Sequence, residues 1–166
     1  MAEIKRLMEN LPAVRGRMRS CVPLGQATWF RVGGPVEVMF RPEDVDDLVD
    51  FMANKPGHIP VMPMGVGSNL LVRDGGIDGV VVRLSRSLAE VKIDGTTVTV
   101  GAGALDANVA QATMVAGLTG LEFLSGIPGT IGGALRMNAG AYGREIKDTV
   151  TSATAVDGEG VLHKLS

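Results

Sequence analysis

Cysteine, histidine and aromatic residues are scarce in this chain of 166 residues. The one cysteine, Cys21, excludes an internal disulfide and a cysteine-based metal cluster. Aromatic residues make up 4% of the chain, too few for the stacking platforms that grip single-stranded nucleic acid. A net charge of −2 leaves no basic footprint for nucleic acid or an anionic membrane. No apolar run approaches the roughly 18 residues that a membrane span needs. The opening residues, Met1-Ala2-Glu3-Ile4-Lys5-Arg6, lack the apolar core of a signal peptide, so the cytoplasm is the expected compartment. With 45% hydrophobic and 20% charged residues, the chain has a globular composition, its core resting on Val, Leu, Ile, Met and Ala. Its length suffices for one core or for two small lobes.

Glycine is abundant, and it clusters. Gly126 to Gly143 reads Gly-Ile-Pro-Gly-Thr-Ile-Gly-Gly-Ala-Leu-Arg-Met-Asn-Ala-Gly-Ala-Tyr-Gly, six glycines in eighteen residues with almost no charge. A core helix would carry fewer, since each costs about 1 kcal/mol against alanine. Bare backbone lets N–H groups face outward and lets a flat or anionic ligand come to main-chain distance. The alternative is a glycine-packed turn between elements. The density of the cluster favours the ligand reading.

A second stretch strengthens that reading. Pro63-Met64-Gly65-Val66-Gly67-Ser68-Asn69-Leu70 follows a short apolar run. Gly65 and Gly67 flank one residue, and Ser68 and Asn69 add two neutral side-chain donors, a cradle suited to a pyrophosphate. No Gly-Lys-Ser/Thr follows, so it is not a P-loop. Leu70 stands where a dinucleotide fingerprint needs its third glycine.

Along the chain, Ile4, Leu7, Met8 and Leu11 fall at helical spacing, with Val14 and Met18 continuing the stripe beyond Pro12. Arg31, among apolar neighbours, calls for a partner, more often structural than a ligand. Val36 to Phe40 alternates as a strand, and Pro42-Glu43-Asp44 opens a helix whose buried face is Val45, Leu48, Val49 and Met52. Asp46, Asp47 and Asp50 lie mostly off that face and read as solvated. His58 reads as a turn residue. Ile59 to Met64 is a strand that completes a βαβ unit and delivers Gly65 at a strand's carboxyl end, where α/β sheets place ligands. Gly79 to Leu84 is a buried strand. Val91 to Ile93 and Thr97 to Val100 flank Asp94-Gly95 as a hairpin. Asp106 to Val115 is a helix stopped by Gly117, with an apolar stripe of Leu105, Val109, Ala112 and Ala116. Thr130-Ile131-Gly132-Gly133 begins a short helical turn whose N–H groups are available to a phosphate. The Asn138 amide needs partners, from a flavin or from neighbouring backbone. Tyr142 offers a ring and a hydroxyl, with plain packing an equal alternative. Val150 to Val156, a turn at Asp157 to Gly160, and Val161 to Leu165 form a last hairpin, at which the chain stops.

Three stretches in order, Thr28-Trp29-Phe30-Arg31-Val32-Gly33-Gly34-Pro35, Gly65 to Gly76, and Gly120 to Gly143, resemble the UDP-N-acetylenolpyruvoylglucosamine reductase family over about residues 20 to 166. The resemblance implies an α+β, two-lobed, PCMH-type FAD-binding domain. Residues 1–22 would be an N-terminal helical segment and 23–166 the FAD domain. Its lobes would run from about 23 to 80 and from about 81 to 166, with FAD extending between them. It also implies that the chain is truncated at its carboxyl end and that the substrate domain is absent. Carried over residue by residue, Gly65, Val66, Gly67, Ser68, Asn69 and Leu70 would hold the pyrophosphate. Ile127, Pro128, Gly129, Gly132, Gly133, Ala134, Met137, Asn138, Gly140, Ala141 and Tyr142 would line the rest of the cofactor. The implied activity is NADPH-dependent, FAD-dependent reduction of UDP-N-acetylglucosamine enolpyruvate to UDP-N-acetylmuramate, a peptidoglycan precursor, with no nucleic-acid or membrane partner and no metal. The family's helpers, an arginine in Tyr-Arg-x-Ser, a serine in Gly-Ser-x-Phe and a late glutamate, have no match here, so catalytic residues are expected beyond residue 166 and this chain alone is expected to be inactive. Two alternatives stay open. One is another flavin oxidoreductase of the same scaffold. Its covalent type needs an attachment His or Cys, and His58, His163 and Cys21 all lie outside the glycine segments. The other is a non-catalytic nucleotide-binding module.

Overall fold

The computed structural model describes residues 2–84 and 86–166, with Met1 and Ser85 outside them. Helices and small sheets mix in the expected α+β manner. The chain divides into two units, Met1–Arg83 with Ser152–Ser166, and Leu84–Thr151.

The first unit opens with α1 (Ala2–Asn10), whose Ile4, Leu7 and Met8 are half-buried as the stripe required. The stripe does not continue past Pro12. Arg17–Pro23 form β1, antiparallel to β2 (Pro35–Arg41), with Arg17 opposite Arg41 and Val22 opposite Val36. Proline ends the helix, and pairing with β2 overrides the helical spacing of Met18. β1 is an edge strand, and its arginines discourage pairing with another chain.

From β2 the chain enters α2 (Val45–Asn54), capped by Asp44, whose side chain accepts the Asp47 N–H at 2.8 Å. The expected buried face is only partly correct. Val45 is 42% exposed, Leu48, Val49 and Met52 are half-buried, and the fully covered residues are Phe51 and Asp47. Phe51 meets Phe40 of β2 with ring centroids 4.7 Å apart, and one large ring turns the helix toward itself. Asp47 is buried because its carboxylate accepts the N–H groups of Arg15, Gly16 and Glu43. β3 (Val61–Met64) and β4 (Ile77–Arg83) complete the sheet in the order β1-β2-β4-β3. β4 lies parallel to both β2 and β3, so it sits between the two strands that α2 connects. Val80, Val81 and Val82 are buried, as a central strand requires.

In the second unit, β5 (Val91–Asp94) and β6 (Thr97–Val100) form the expected hairpin, with Asp94 opposite Thr97 and Gly95 at φ +57°. α3 (Asp106–Val115) buries Asp106, Val109, Ala110 and Thr113. That face is rotated from the expected stripe, for Leu105 and Ala116 are exposed. The Thr113 hydroxyl donates to the Val109 carbonyl within its own helix, so a polar residue can be buried there. Gly117, at φ +72°, ends the helix, and the Leu118 N–H donates to the Thr113 carbonyl at 2.9 Å. α4 (Ile131–Met137) and the short pair β7 (Gly140–Ala141) and β8 (Arg144–Glu145) follow. Val109, Phe123, Leu124, Ala134 and Ile146 are core residues of this unit.

The closing hairpin, β9 (Ala153–Val156) and β10 (Leu162–Leu165), belongs with the first unit and not with the second lobe as expected. Its turn lies on α2. A Cβ placed on Gly160 would come within 2.7 Å of the Val49 carbonyl oxygen and 2.8 Å of the Ala53 nitrogen. Among the described residues, no helix is long and apolar enough to cross a membrane.

Candidate functional site

The first glycine segment leaves the carboxyl end of β3. Gly67 takes φ +70° and packs closely on the buried Thr28, where a Cβ would meet the Thr28 Cα at 3.2 Å. The Gly67 carbonyl accepts the Trp29 N–H at 3.3 Å, which ties the loop to the Thr28–Pro35 stretch. These contacts fix the path of the loop. Its donors are left over. Among the described residues, the backbone N–H groups of Val66, Gly67 and Ser68 and the Ser68 hydroxyl meet no acceptor. Consecutive N–H groups without partners make an anion-binding concavity. Leu70 turns inward and packs with Val72 against Met39 and Val81 of the sheet. Asn69 is exposed.

Thr28 and Trp29 were not among the candidate site residues. The stretch that holds them was visible in the sequence, but nothing in it located the contact with Gly67. Arg31, at φ +53°, is exposed, and its side chain has no ion pair among the described residues. Water solvates it, so the partner expected for it is not needed.

The second glycine segment lies in the second unit and is used differently. At the start of α4, the Ile131 N–H donates to the Ala104 carbonyl and the Gly132 N–H to the Ala102 carbonyl, both at 2.9 Å. That corrects in part the expectation of a helical turn with N–H groups free for a phosphate: two are spent, while the Gly133 N–H meets no acceptor among the described residues. Close approach is the reason: a Cβ on Gly132 would lie 2.9 Å from the Ala102 Cβ. Asn138 ends α4 in the left-handed region at φ 50°. Its amide is satisfied within the chain, donating to Glu145 Oε2 at 2.7 Å and accepting the Lys147 N–H at 3.0 Å. Neighbouring groups thus supply the partners that the sequence left open. Lys147 and Asn138 hold the Glu145 carboxyl below its ordinary range.

Tyr142 is 81% exposed at φ 53°, and a Cβ on Gly126 would strike its ring at 2.7 Å. Gly126 therefore lets the ring lie against the backbone. Gly140 and Ala141 line an open cavity of about 510 Å³ with Gly143, Arg144, Glu145, Lys147 and Asp148. Ile127 and Ala134 face the core, Gly129 is half-buried, and Pro128, Gly133 and Met137 are exposed.

Asp106, the first residue of α3, is fully buried, and neither carboxylate oxygen has a hydrogen-bond partner among the described residues. Burial pushes its carboxyl up to about 6, and the nearby Gly129 N–H offsets part of that effect without reaching hydrogen-bonding geometry. Its own N–H donates to the Gly129 carbonyl at 3.2 Å, and Leu105 bridges to Thr130. Asp106 thus lies beneath the second glycine segment. Among the described residues, no group of three or more His, Cys, Asp or Glu could hold a metal ion.

The chain is similar to known proteins. The chain is 59% identical over 160 residues to the UDP-N-acetylenolpyruvoylglucosamine reductase of Rhodospirillum rubrum, a match covering 96% of this chain and 50% of that protein. The solved UDP-N-acetylenolpyruvylglucosamine reductase of Thermus caldophilus is 33% identical, with a TM-score of 0.74 over 92% of this chain and 52% of its own. The cholesterol oxidase of B. sterolicum shares the fold, at 19% identity and a TM-score of 0.66 over 93% of this chain and 34% of that one. The chain spans about half the length of the curated relatives it matches. A family described as FAD binding domain matches residues 36–166, and the chain belongs to that family.

Proposed function

We propose that this chain is the FAD-binding part of a UDP-N-acetylenolpyruvoylglucosamine reductase. In this reading the complete enzyme uses NADPH to reduce UDP-N-acetylglucosamine enolpyruvate to UDP-N-acetylmuramate, a cytoplasmic step toward peptidoglycan. One observation carries it: the identity to the Rhodospirillum rubrum reductase runs over nearly the whole chain, a span that takes in both glycine segments.

The residues present fit the cofactor. Gly65 to Leu70 would hold the pyrophosphate, for which the N–H groups of Val66, Gly67 and Ser68 are available donors. The Ser68 hydroxyl and the Asn69 amide add neutral donors. Pro128, Gly129, Gly133, Met137, Gly140, Ala141 and Tyr142 would line the remainder, with Ile127 and Ala134 behind them in the core and Gly132 and Asn138 shaping the backbone. The start of α4 contributes chiefly shape here, because the Ile131 and Gly132 N–H groups are already spent, which leaves the Gly133 N–H as a donor. The chemistry that bound flavin would supply is hydride transfer between two substrates. The chain's own residues bind and orient. Proton donation and the hold on the sugar nucleotide belong to residues outside 1–166, since Tyr-Arg-x-Ser and Gly-Ser-x-Phe do not occur here. Loss of a general acid typically costs about 10²–10⁴-fold, so the chain alone forms no product at an enzymatic rate.

The test is anaerobic. The chain is loaded with FAD and treated with NADPH, with and without the enolpyruvyl sugar nucleotide. The visible flavin band should bleach slowly with NADPH, and no UDP-N-acetylmuramate should appear. Failure to retain FAD would overturn the reading. Product at the rate of an intact reductase would place the proton donor within this chain.

A further inference from the structure

Three strands of the first unit's sheet carry an arginine at the same edge. Arg41 ends β2, Arg83 ends β4, and Arg17 begins β1, which runs the other way. Arg17 and Arg41 are directly opposite, so they project to one face. Phe40 is opposite Val82, and one step further along these parallel strands puts Arg41 beside Arg83. Arg83 is in turn opposite Met64, the residue before Gly65. Neighbouring strands are about 4.8 Å apart, so the three cations form a row roughly 10 Å long.

The face they share is defined. Residues two apart on a strand point the same way, so Arg41 and Arg83 lie on the face of Met39 and Val81. Leu70 and Val72 pack on that face. The opposite face carries Phe40 against α2. Two of the acids at this edge, Asp44 and Asp47, are occupied elsewhere, and the exposed Glu43 forms no ion pair among the described residues. Asp44 pairs with Arg15, and Asp47 accepts three backbone N–H groups. Among the described residues, Arg17, Arg41 and Arg83 have no ion pair. Like charges in cross-strand register oppose folding. Arg83 is half-buried, and its burial together with the charge of Arg41 pushes its guanidinium below its ordinary range. A half-buried cation with cationic neighbours and no counter-ion is costly unless a ligand brings one.

We propose that Arg17, Arg41 and Arg83 form an anion site whose ligand is a phosphoryl group with at least two negative charges, as a diphosphate presents. Guanidinium groups match phosphoryl oxygens with paired donors. The row lies where the parallel strands end, the usual ligand edge of such sheets. The site does not rest on the flavin reading, because its cations are separate from the neutral donors of Gly65 to Asn69.

The probe is inorganic pyrophosphate, titrated calorimetrically into the flavin-free chain at low ionic strength. Saturable binding at one per chain is expected, weakened at least tenfold in Arg83→Gln and further in the Arg41→Gln/Arg83→Gln double variant. Arg83→Lys should recover part of the affinity. Thermal unfolding gives a second readout. Without ligand, the double variant should melt no lower than the wild type, since repulsion is relieved, yet it should lose the rise that pyrophosphate gives the wild type. Repeating the titration with FAD bound separates the sources. Lost binding makes the cofactor's own diphosphate the ligand, shared between the row and the Gly65 to Asn69 loop that follows Met64, and retained binding makes it a second phosphoryl compound; either keeps the row as an anion site. Absent binding would overturn the proposal. So would equal binding in the wild type and the double variant, or binding lost in Gly67→Leu but intact in the double variant.

Discussion

The Oδ2 atom of Asp47 accepts the backbone N–H of Gly16 at 2.9 Å, across 31 residues of chain. The same carboxylate takes the N–H groups of Arg15 at 2.8 Å and Glu43 at 2.9 Å. One buried side chain thus pins the approach to β1 against the start of α2. Asp47→Ala leaves three N–H groups without a partner. It should cost about 3 kcal/mol, the scale of lost hydrogen bonds to a charged group. Denaturant unfolding checks this, and a loss under about 1 kcal/mol would mean that water replaces the carboxylate.

Asp47 also shows where the sequence stopped being informative. Its place on a helix was legible from the Pro42-Glu43-Asp44 start, but an aspartate off the apolar stripe reads as solvated. Only the distant N–H groups of Arg15 and Gly16 make burial favourable, and no local pattern announces them. β1 was hidden for a similar reason. Arg17-Met18-Arg19-Ser20-Cys21 has too few apolar residues to mark a strand, and its pairing with β2 is long-range. By contrast, β2, β4 and the β5–β6 hairpin were legible, because valine runs and Asp-Gly turns act locally. Both glycine segments were visible as segments. What composition could not separate was their use: Gly67 shapes a loop with N–H groups to spare, whereas Gly132 lets α4 approach Ala102 and spends its own.

The orphaned Asp106 carboxyl should make stability fall as pH rises. Its ordinary value is 3.8, and burial raises it to about 6 in the folded chain. Between those values the folded state binds the extra proton, so stability declines from about pH 4 to about pH 6 and levels off above. A shift of this size corresponds to a loss on the order of 2–3 kcal/mol. Asp106→Asn cannot ionise, and should be more stable than the wild type at pH 7.5 but not at pH 4. Thermal melts of both proteins across that range are the check. Parallel curves would show that Asp106 is solvated or partnered.

Acid should loosen the β9–β10 turn. Asp157 accepts the N–H groups of Glu159 and Val161, each at 2.9 Å, and its Oδ2 lies 2.7 Å from His163 Nε2. His163 and these N–H groups lower its carboxyl from 3.8 to about 2. The contribution is therefore fully present above about pH 4 and is lost as pH falls through about 2. Amide resonances of Glu159 and Val161 should move together over that window, and Asp157→Asn should abolish the movement. Unchanged resonances down to pH 2 would separate the turn from Asp157.

In the proposed function, this chain holds FAD without a covalent bond and the Gly65 to Asn69 loop takes its pyrophosphate. The direct measurement is a titration of FAD into the flavin-free chain, followed by flavin fluorescence, with Gly67→Leu and Ser68→Ala beside the wild type. Circular dichroism confirms that each variant is folded. Gly67 is at φ +70° against Thr28, so leucine displaces the loop, while Ser68→Ala removes one donor and leaves the backbone intact. One FAD per chain is expected, released by acid precipitation, with affinity at least tenfold weaker in folded Gly67→Leu and severalfold weaker in Ser68→Ala. Wild-type affinity in both folded variants, or no binding of FAD by the wild-type chain, would contradict it.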